Sequence, residues 1–98
     1  MSEKYKETPF GWWGVTKPLE ELLVENDCEV GQMKEKFAEL RCYFHMPDFD
    51  LTTYDKMRGA VELAEKLCST MCQDCGQQGE VDYSTGWYIV LCDEHNKG

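Results

Sequence analysis

Residues 71–95, MCQDCGQQGEVDYSTGWYIVLCDEH, decide the fold, because they place a C-x-x-C pair and a C-x-x-H pair within one short stretch. Two intervening residues let both side chains of a pair converge on one ion, and a tetrahedral zinc site needs four such ligands. Gly76, directly after the first pair, suits the crowded or left-handed backbone of such a knuckle. The predicted metal ligands are Cys72, Cys75, Cys92 and His95.

The segment between the two pairs has room for a β-hairpin. Sixteen residues separate Cys75 from Cys92, which is enough for two short strands joined by a turn at Ser84-Thr85-Gly86. Residues 87–91 alternate between two apolar sides and are predicted to form a largely buried return strand. The C-terminal end is therefore predicted to be a zinc-ribbon-like knuckle and hairpin.

The metal is predicted to be structural zinc rather than a catalytic ion. A catalytic zinc keeps one coordination position open for water, whereas four protein ligands fill every position. Thiolates also neutralise much of the charge that makes zinc a Lewis acid, and the H-x-E and P-C-x-x-C signature of zinc deaminases is missing from the sequence. The alternatives left open are Cys68 as a replacement ligand, a redox-active C-x-x-C, and iron in place of zinc.

The clearest element before the knuckle is a long amphipathic helix over residues 53–70. Apolar residues recur there at intervals of three and four, which is the helical period. Thr52 and Asp55 have the spacing of a capping box at its start. The apolar positions are Tyr54, Met57, Val61, Ala64, Leu67 and Cys68.

The stretch before this helix fits both a helical and a strand period. Its β-favouring residues favour the strand period, so we predict an antiparallel hairpin with strands at 28–37 and 40–46. The turn, near Ala38-Glu39, lacks the glycine or asparagine typical of tight hairpin turns. Cys28 and Cys42 are predicted to be small core residues.

The N-terminal part is predicted to form a short amphipathic helix over residues 16–26. Leucines recur there at helical spacing, and Pro18 suits a helix start. Just before it, the adjacent Trp12 and Trp13 cannot point the same way. One tryptophan is therefore predicted to lie in the core and the other to be partly exposed.

Together these elements predict an α+β fold: a short N-terminal helix, a β-hairpin, a long amphipathic helix, and a C-terminal zinc-ribbon-like knuckle and hairpin. The 98 residues correspond to a single domain, with an α+β part over 1–71 and a zinc-ribbon-like part over 72–98. A domain of this size buries a thin core, so a bound metal would add useful stability.

The charge of the chain limits the classes of partner. The formal net charge is −9, from 10 basic and 19 acidic residues. Such a charge repels phosphates, so nucleic acids and anionic membranes are not expected as direct partners, whereas a basic protein surface is. The N-terminus has no apolar run of signal-peptide length, and no segment approaches the roughly 20 apolar residues of a membrane span. A cytoplasmic location is expected.

Five motifs resemble those of a widespread family of small, uncharacterised bacterial and bacteriophage proteins: Gly11-Trp12, QMKEKFAELRCYF at 32–44, CQDCGQQG at 72–79, Gly86-Trp87 and LCDEH at 91–95. They span nearly the whole chain, and all four ligand positions match. The chain departs from the family at Ala38-Glu39, where the family has a glycine pair, and at Cys42, where it has an aromatic residue. The resemblance implies a zinc-ribbon-like end on a small α+β domain, and it implies no activity.

We therefore predict a small acidic, zinc-stabilised protein-binding module, encoded by a phage or mobile element, that inhibits a host nucleic-acid-binding or defence protein by covering its basic surface. One alternative is nucleic-acid binding by the zinc ribbon through Trp87 and Tyr88, although residues 72–95 contain no Lys or Arg. The other is an enzyme of unknown type, for which the sequence offers no catalytic residue. The candidate partner-binding residues are Trp12, Trp13, Glu20, Glu21, Glu25, Asp48 and Asp50.

Overall fold

The computed structural model describes residues 3–82, 88–92 and 94 and has the predicted α+β class. The predicted order of short helix, hairpin, long helix and C-terminal hairpin is confirmed. Two short 3₁₀ helices at the N-terminus, Lys4–Glu7 and Phe10–Trp12, lead directly into the first α-helix. The remaining elements are α1 (Trp13–Glu25), β1 (Glu29–Lys36), β2 (Glu39–His45), α2 (Leu51–Cys68), β3 (Glu80–Asp82) and β4 (Ile89–Leu91).

Helix α1 begins three residues before the predicted start, because the 3₁₀ helix that precedes it runs into it without a break. Pro18 therefore lies inside the helix rather than near its start. The helix ends in a Schellman motif: Asp27 N donates to Val24 O at 3.1 Å, and Cys28 N donates to Leu23 O at 2.9 Å. This motif requires a left-handed residue, and Asp27 supplies it with a φ of 60°.

We expect Asp27→Gly to be more stable than Asp27→Ala by about 1 kcal/mol, because the left-handed conformation is costly for alanine and nearly free for glycine. Both variants remove the same carboxylate, so charge does not contribute to the difference. Urea unfolding of the two variants measures it. Equal stabilities would show that position 27 does not keep its left-handed backbone in solution.

The β1–β2 hairpin has a two-residue turn at Phe37-Ala38, one residue before the predicted position, since Lys36 pairs with Glu39. Both turn residues have positive φ, 54° and 65°, as in the turns that glycine and asparagine usually form. The Glu35 carboxylate compensates in part, because it accepts a hydrogen bond of 2.8 Å from Ala38 N. One face of the hairpin packs on the core and the other faces solvent.

Helix α2 starts at Leu51, and its N-cap is Asp50. The Asp50 carboxylate accepts hydrogen bonds from Thr53 N at 3.0 Å and Thr53 Oγ1 at 2.7 Å. The capping box predicted from Thr52 and Asp55 is therefore wrong, because the cap lies two residues earlier. The helix buries the stripe Met57, Val61, Ala64 and Cys68.

The core lies between the two helices and the inner face of the hairpin, and both ends of the chain contribute to it. Trp12 is fully buried and Trp13 is half-buried, as the adjacent pair predicted. Cys28 and Cys42 are buried, and β4 adds the fully buried Val90. Among the residues described, no helix is both long enough and apolar enough to cross a membrane.

Candidate metal centre

Three of the four predicted metal ligands converge. The sulfurs of Cys72, Cys75 and Cys92, hereafter the cysteine cluster, all lie within 4.8 Å of one another, and the Cys75 and Cys92 sulfurs are 3.6 Å apart. Two sulfurs bound tetrahedrally to one zinc ion at about 2.3 Å are about 3.8 Å apart, so the cluster has the spacing of a metal site. His95 lies outside the described residues, as do the predicted turn at 84–86 and Trp87, and their roles stay predictions.

The loop after α2 holds the first two cysteines in place through its own backbone. Cys72 N donates to Gln77 O at 2.6 Å, and Gly76 N donates to Cys72 O at 2.9 Å. Gly76 has a φ of 82°, which confirms the left-handed backbone expected after the C-x-x-C pair. Gly79 N then donates to Thr70 O at 2.7 Å and closes the loop against the end of α2.

The third cysteine reaches the cluster because β4 is attached to the loop through Gln73. Gln73 N donates to Val90 O at 2.9 Å, and Val90 N donates to the side-chain Oε1 of Gln73 at 2.6 Å. These two bonds place Cys92, two residues after Val90, beside the first pair. Sequence reasoning missed Gln73, since a glutamine inside C-x-x-C carries no metal-binding signal of its own.

The N-terminal Gly11-Trp12 pair packs directly against the same loop. Gly11 N donates to Gln73 O at 2.8 Å, and Trp12 Nε1 donates to Met71 O at 2.8 Å. A Cβ atom on Gly11 would lie 2.1 Å from Cys72 O, so only glycine permits this approach. Two motifs about 60 residues apart in sequence thus form one contact.

The electrostatics of the cluster favour a bound cation. Burial alone raises the pKa of Cys72, but hydrogen bonds from the backbone N–H groups of Cys92, Cys75 and Asp74 lower it to about 6. At Cys75 the Gln77 N–H lowers the pKa, whereas desolvation and the neighbouring thiols raise it to about 11. Once Cys72 is a thiolate, a second ionisation places like charges together, and a cation at the centre removes that cost.

The other cysteines lie outside the cluster. Burial raises the pKa of Cys68 to about 12, and burial followed by the nearby Glu65 does the same for Cys42. Both are therefore neutral core thiols at physiological pH. Cys68 is fully buried and is absent from the group of described residues that could hold a metal, so its proposed role as replacement ligand is wrong for this structure.

Burial contradicts the predicted partner-binding role of two residues. Trp12 is 0% exposed and Glu20 is 3% exposed, so neither offers a surface to a partner. The Glu20 carboxylate instead accepts hydrogen bonds from Lys4 N at 3.0 Å and Tyr5 N at 2.9 Å, which anchors the first 3₁₀ helix to α1.

The remaining candidates differ in their accessibility. Trp13 is half-buried, with its ring 5.4 Å from that of Tyr5 and its Nε1 donating to Thr8 O at 3.0 Å. Asp50 is exposed but serves as the N-cap of α2. The exposed carboxylates left for a partner are those of Glu21, Glu25 and Asp48.

Comparison with family models, with curated proteins and with solved structures found no match to this chain. Its function is therefore inferred from its own residues.

Proposed function

We propose that this chain is a small, acidic, metal-stabilised module that binds a protein with a basic surface. The observation that carries the proposal is a groove of about 450 Å³ between the first 3₁₀ helix and α1. Tyr5 and Val24 give it an apolar wall, and Lys17 is the one cation among the described residues that line it. Four of the described lining residues are carboxylates: Glu3, Glu20, Glu21 and Glu25. Glu20 is buried and bonded to the first 3₁₀ helix, and Glu3 pairs with Lys6, so Glu21 and Glu25 form the acidic rim that a partner would meet.

Such a groove fits the side chain of a lysine or arginine from a partner. The apolar wall matches the aliphatic stem of these residues, and the acidic rim matches their charged end. Phe10, strongly exposed and with its ring centroid 5.0 Å from that of Trp13, adds an aromatic surface at the same end of the molecule. Aromatic residues are common at the centres of protein interfaces, where a polar rim surrounds them.

We further propose that the chain is encoded by a phage or mobile element, acts in the cytoplasm and inhibits a host nucleic-acid-binding or defence protein. Proteins that bind nucleic acids present basic surfaces, and a partner with a net charge of −9 competes for such a surface. The proposed origin rests on the five sequence motifs quoted above.

We assign the metal as structural zinc, with His95 as the fourth ligand beside the cysteine cluster. Zinc accepts three thiolates and one imidazole, whereas a tetrahedral iron site normally has four cysteines. Four protein ligands leave no position for water, so the metal would hold the loop and β4 together rather than take part in a reaction.

The test is a pull-down from bacterial lysate with identification by mass spectrometry. The bait variants are Glu21→Lys/Glu25→Lys at the groove and Asp55→Lys/Glu62→Lys on the exposed surface of α2. Each pair raises the formal net charge from −9 to −5, so any difference between them reflects position and not total charge.

We expect one host protein to be captured in stoichiometric amount by the wild type and by the α2 variant, and to be lost with the groove variant. Equal capture by both variants would exclude the groove as the binding site. If the wild type captures no specific protein from the lysate of a susceptible host, the proposed function is wrong.

A further inference from the structure

The outward face of the β1–β2 hairpin concentrates positive charge in an acidic protein. The register places Lys34 opposite Arg41 and Lys36 opposite Glu39, so three of the ten basic residues of the chain share this face. The side chains of Glu39 and Arg41 form an ion pair at 2.9 Å. Glu29 and Glu39 lie on the same face, so its cations exceed its carboxylates by one, whereas the whole chain has a net charge of −9.

The Lys34–Arg41 pair is unfavourable for the hairpin by itself, because like charges directly opposite each other destabilise a sheet. In the part of the chain that the structure describes, Lys34 has no carboxylate within salt-bridge distance. An external anion on this face would remove the repulsion.

Exposed aromatic rings lie beside these cations. Phe37 at the hairpin turn is 62% exposed and Tyr88 before β4 is 48% exposed, and their ring centroids are 6.0 Å apart. Tyr43 is exposed on the same face of the hairpin as Lys34. An exposed aromatic pair has no role in the core, so a ligand that covers it would gain stacking and apolar contacts.

Two grooves flank the Phe37–Tyr88 pair, and each contains a cation. One, of about 480 Å³, is lined by Arg41 and Val81 beside the two rings. The other, of about 390 Å³, is lined by Lys36 and Ile89, and the Lys36 Nζ lies 5.7 Å from the centroid of the Phe37 ring. The nearby carboxylates of Glu39 and Glu35 are already bonded to Arg41 and to Ala38 N, respectively.

We propose that this surface, hereafter the hairpin face (Lys34, Lys36, Phe37, Arg41 and Tyr88), binds single-stranded nucleic acid. Proteins bind single strands without sequence preference by pairing cations with phosphates and stacking bases on aromatic rings. Lys34 and Lys36 are two residues apart on one strand, about 6.8 Å, so they can contact successive backbone groups of an extended strand. An acidic peptide would use the cations but has no need of the rings.

The hairpin face shares no described lining residue with the acidic groove, so binding here would be additional to the proposed protein-binding function. Residues 72–95 contain no Lys or Arg, but the fold brings Arg41 and Lys36 of the hairpin to Tyr88. The net charge of −9 weakens binding without preventing it, because exposed charges farther away than about 8 Å are largely screened at physiological salt. Arg41 is ion-paired with Glu39, so two phosphate contacts, by Lys34 and Lys36, predict a salt dependence of log K with a slope of about −1.4.

The test is fluorescence anisotropy with labelled oligothymidine of about 12 nucleotides. Phe37→Ala and Lys34→Glu alter the hairpin face, and Phe49→Ala and Lys56→Glu are matched controls at exposed positions elsewhere. Phe49 has the same 62% exposure as Phe37, so the pair compares equal losses of exposed surface. Thermal unfolding of each variant verifies that it is folded.

We expect Phe37→Ala to weaken binding roughly 5- to 150-fold, the range for loss of one stacked base. Lys34→Glu should weaken it and make the salt slope shallower by about 0.7 or more. The controls should bind as the wild type does. Binding that is undetectable at about 50 mM salt, or equal in Phe37→Ala and Phe49→Ala, overturns the proposal.

Two competitors separate this ligand from its rivals. We expect unlabelled oligothymidine to displace the probe and a polyglutamate peptide of equal charge to leave it bound. Effective displacement by polyglutamate would identify the hairpin face as an acidic-peptide site and contradict base stacking. Duplex DNA that competes as well as the single strand would also contradict it, because paired bases cannot stack on these rings.

Discussion

Chelation of the proposed metal ion is expected to unfold the region after α2 and to release the Gly11-Trp12 segment from it. The cysteine cluster lies between the loop and β4, and a central cation would let its sulfurs ionise together, because without it like charges would be placed side by side. Binding free energies of roughly 10–16 kcal/mol for structural zinc compare with whole-domain stabilities of about 5–15 kcal/mol, so the loss is large. The β1–β2 hairpin and both helices share a core that lies mostly outside this region.

The measurement is hydrogen exchange before and after chelation, with metal content determined in the same samples. We expect rapid exchange at the amides of Gly11, Gln73, Gly79 and Val90, whose hydrogen bonds hold the region together. Cys72→Ser should behave as the chelated protein does, whereas Cys28→Ser should retain one zinc per chain. Amides that stay protected after the metal has gone would show that the fold does not depend on it.

Gly11→Ala is expected to destabilise the metal-bound protein by about 3 kcal/mol, as overpacking against an immobile group does. The new Cβ would lie 2.1 Å from Cys72 O and 2.7 Å from the carbonyl carbon of Gln73, both of which are backbone atoms. The two segments must therefore separate, which strains the hydrogen bonds that Gly11 N and Trp12 Nε1 make to the loop.

Gly14→Ala is the matched control, because a Cβ at Gly14 would meet nothing within 4 Å and the residue lies in α1. It should stabilise the protein by about 0.5–1 kcal/mol, as alanine does in an exposed helix position. Urea unfolding with excess zinc, followed by tryptophan fluorescence, measures both variants. If Gly11→Ala is as stable as the wild type, the contact between Gly11 and the loop does not form in solution.

The elements that sequence reasoning placed well are those defined by residues near one another in the chain. The spacing of apolar residues predicted α2 to within two residues at each end, and β-favouring residues identified the hairpin. The predicted hairpin turn and the predicted cap of α2 were each wrong by one or two residues: the turn is at Phe37-Ala38, and the cap is Asp50. The positions of turns and caps depend on backbone angles. Several residue types can adopt these angles at an energetic cost, so the residue type alone does not predict the position.

The sequence by itself determined the α+β class and the convergence of the C-x-x-C pair, because period and spacing act over a few residues. The sequence predicted Cys92 beside this pair and kept Cys68 as an alternative. Only the tertiary structure decided between them, because it brings Cys92 to the pair and makes Cys68 a core thiol. It also buried Glu20, which the sequence had indicated as a partner-binding residue. Such outcomes depend on distances between residues far apart in the chain, and those distances exist only after the elements have packed.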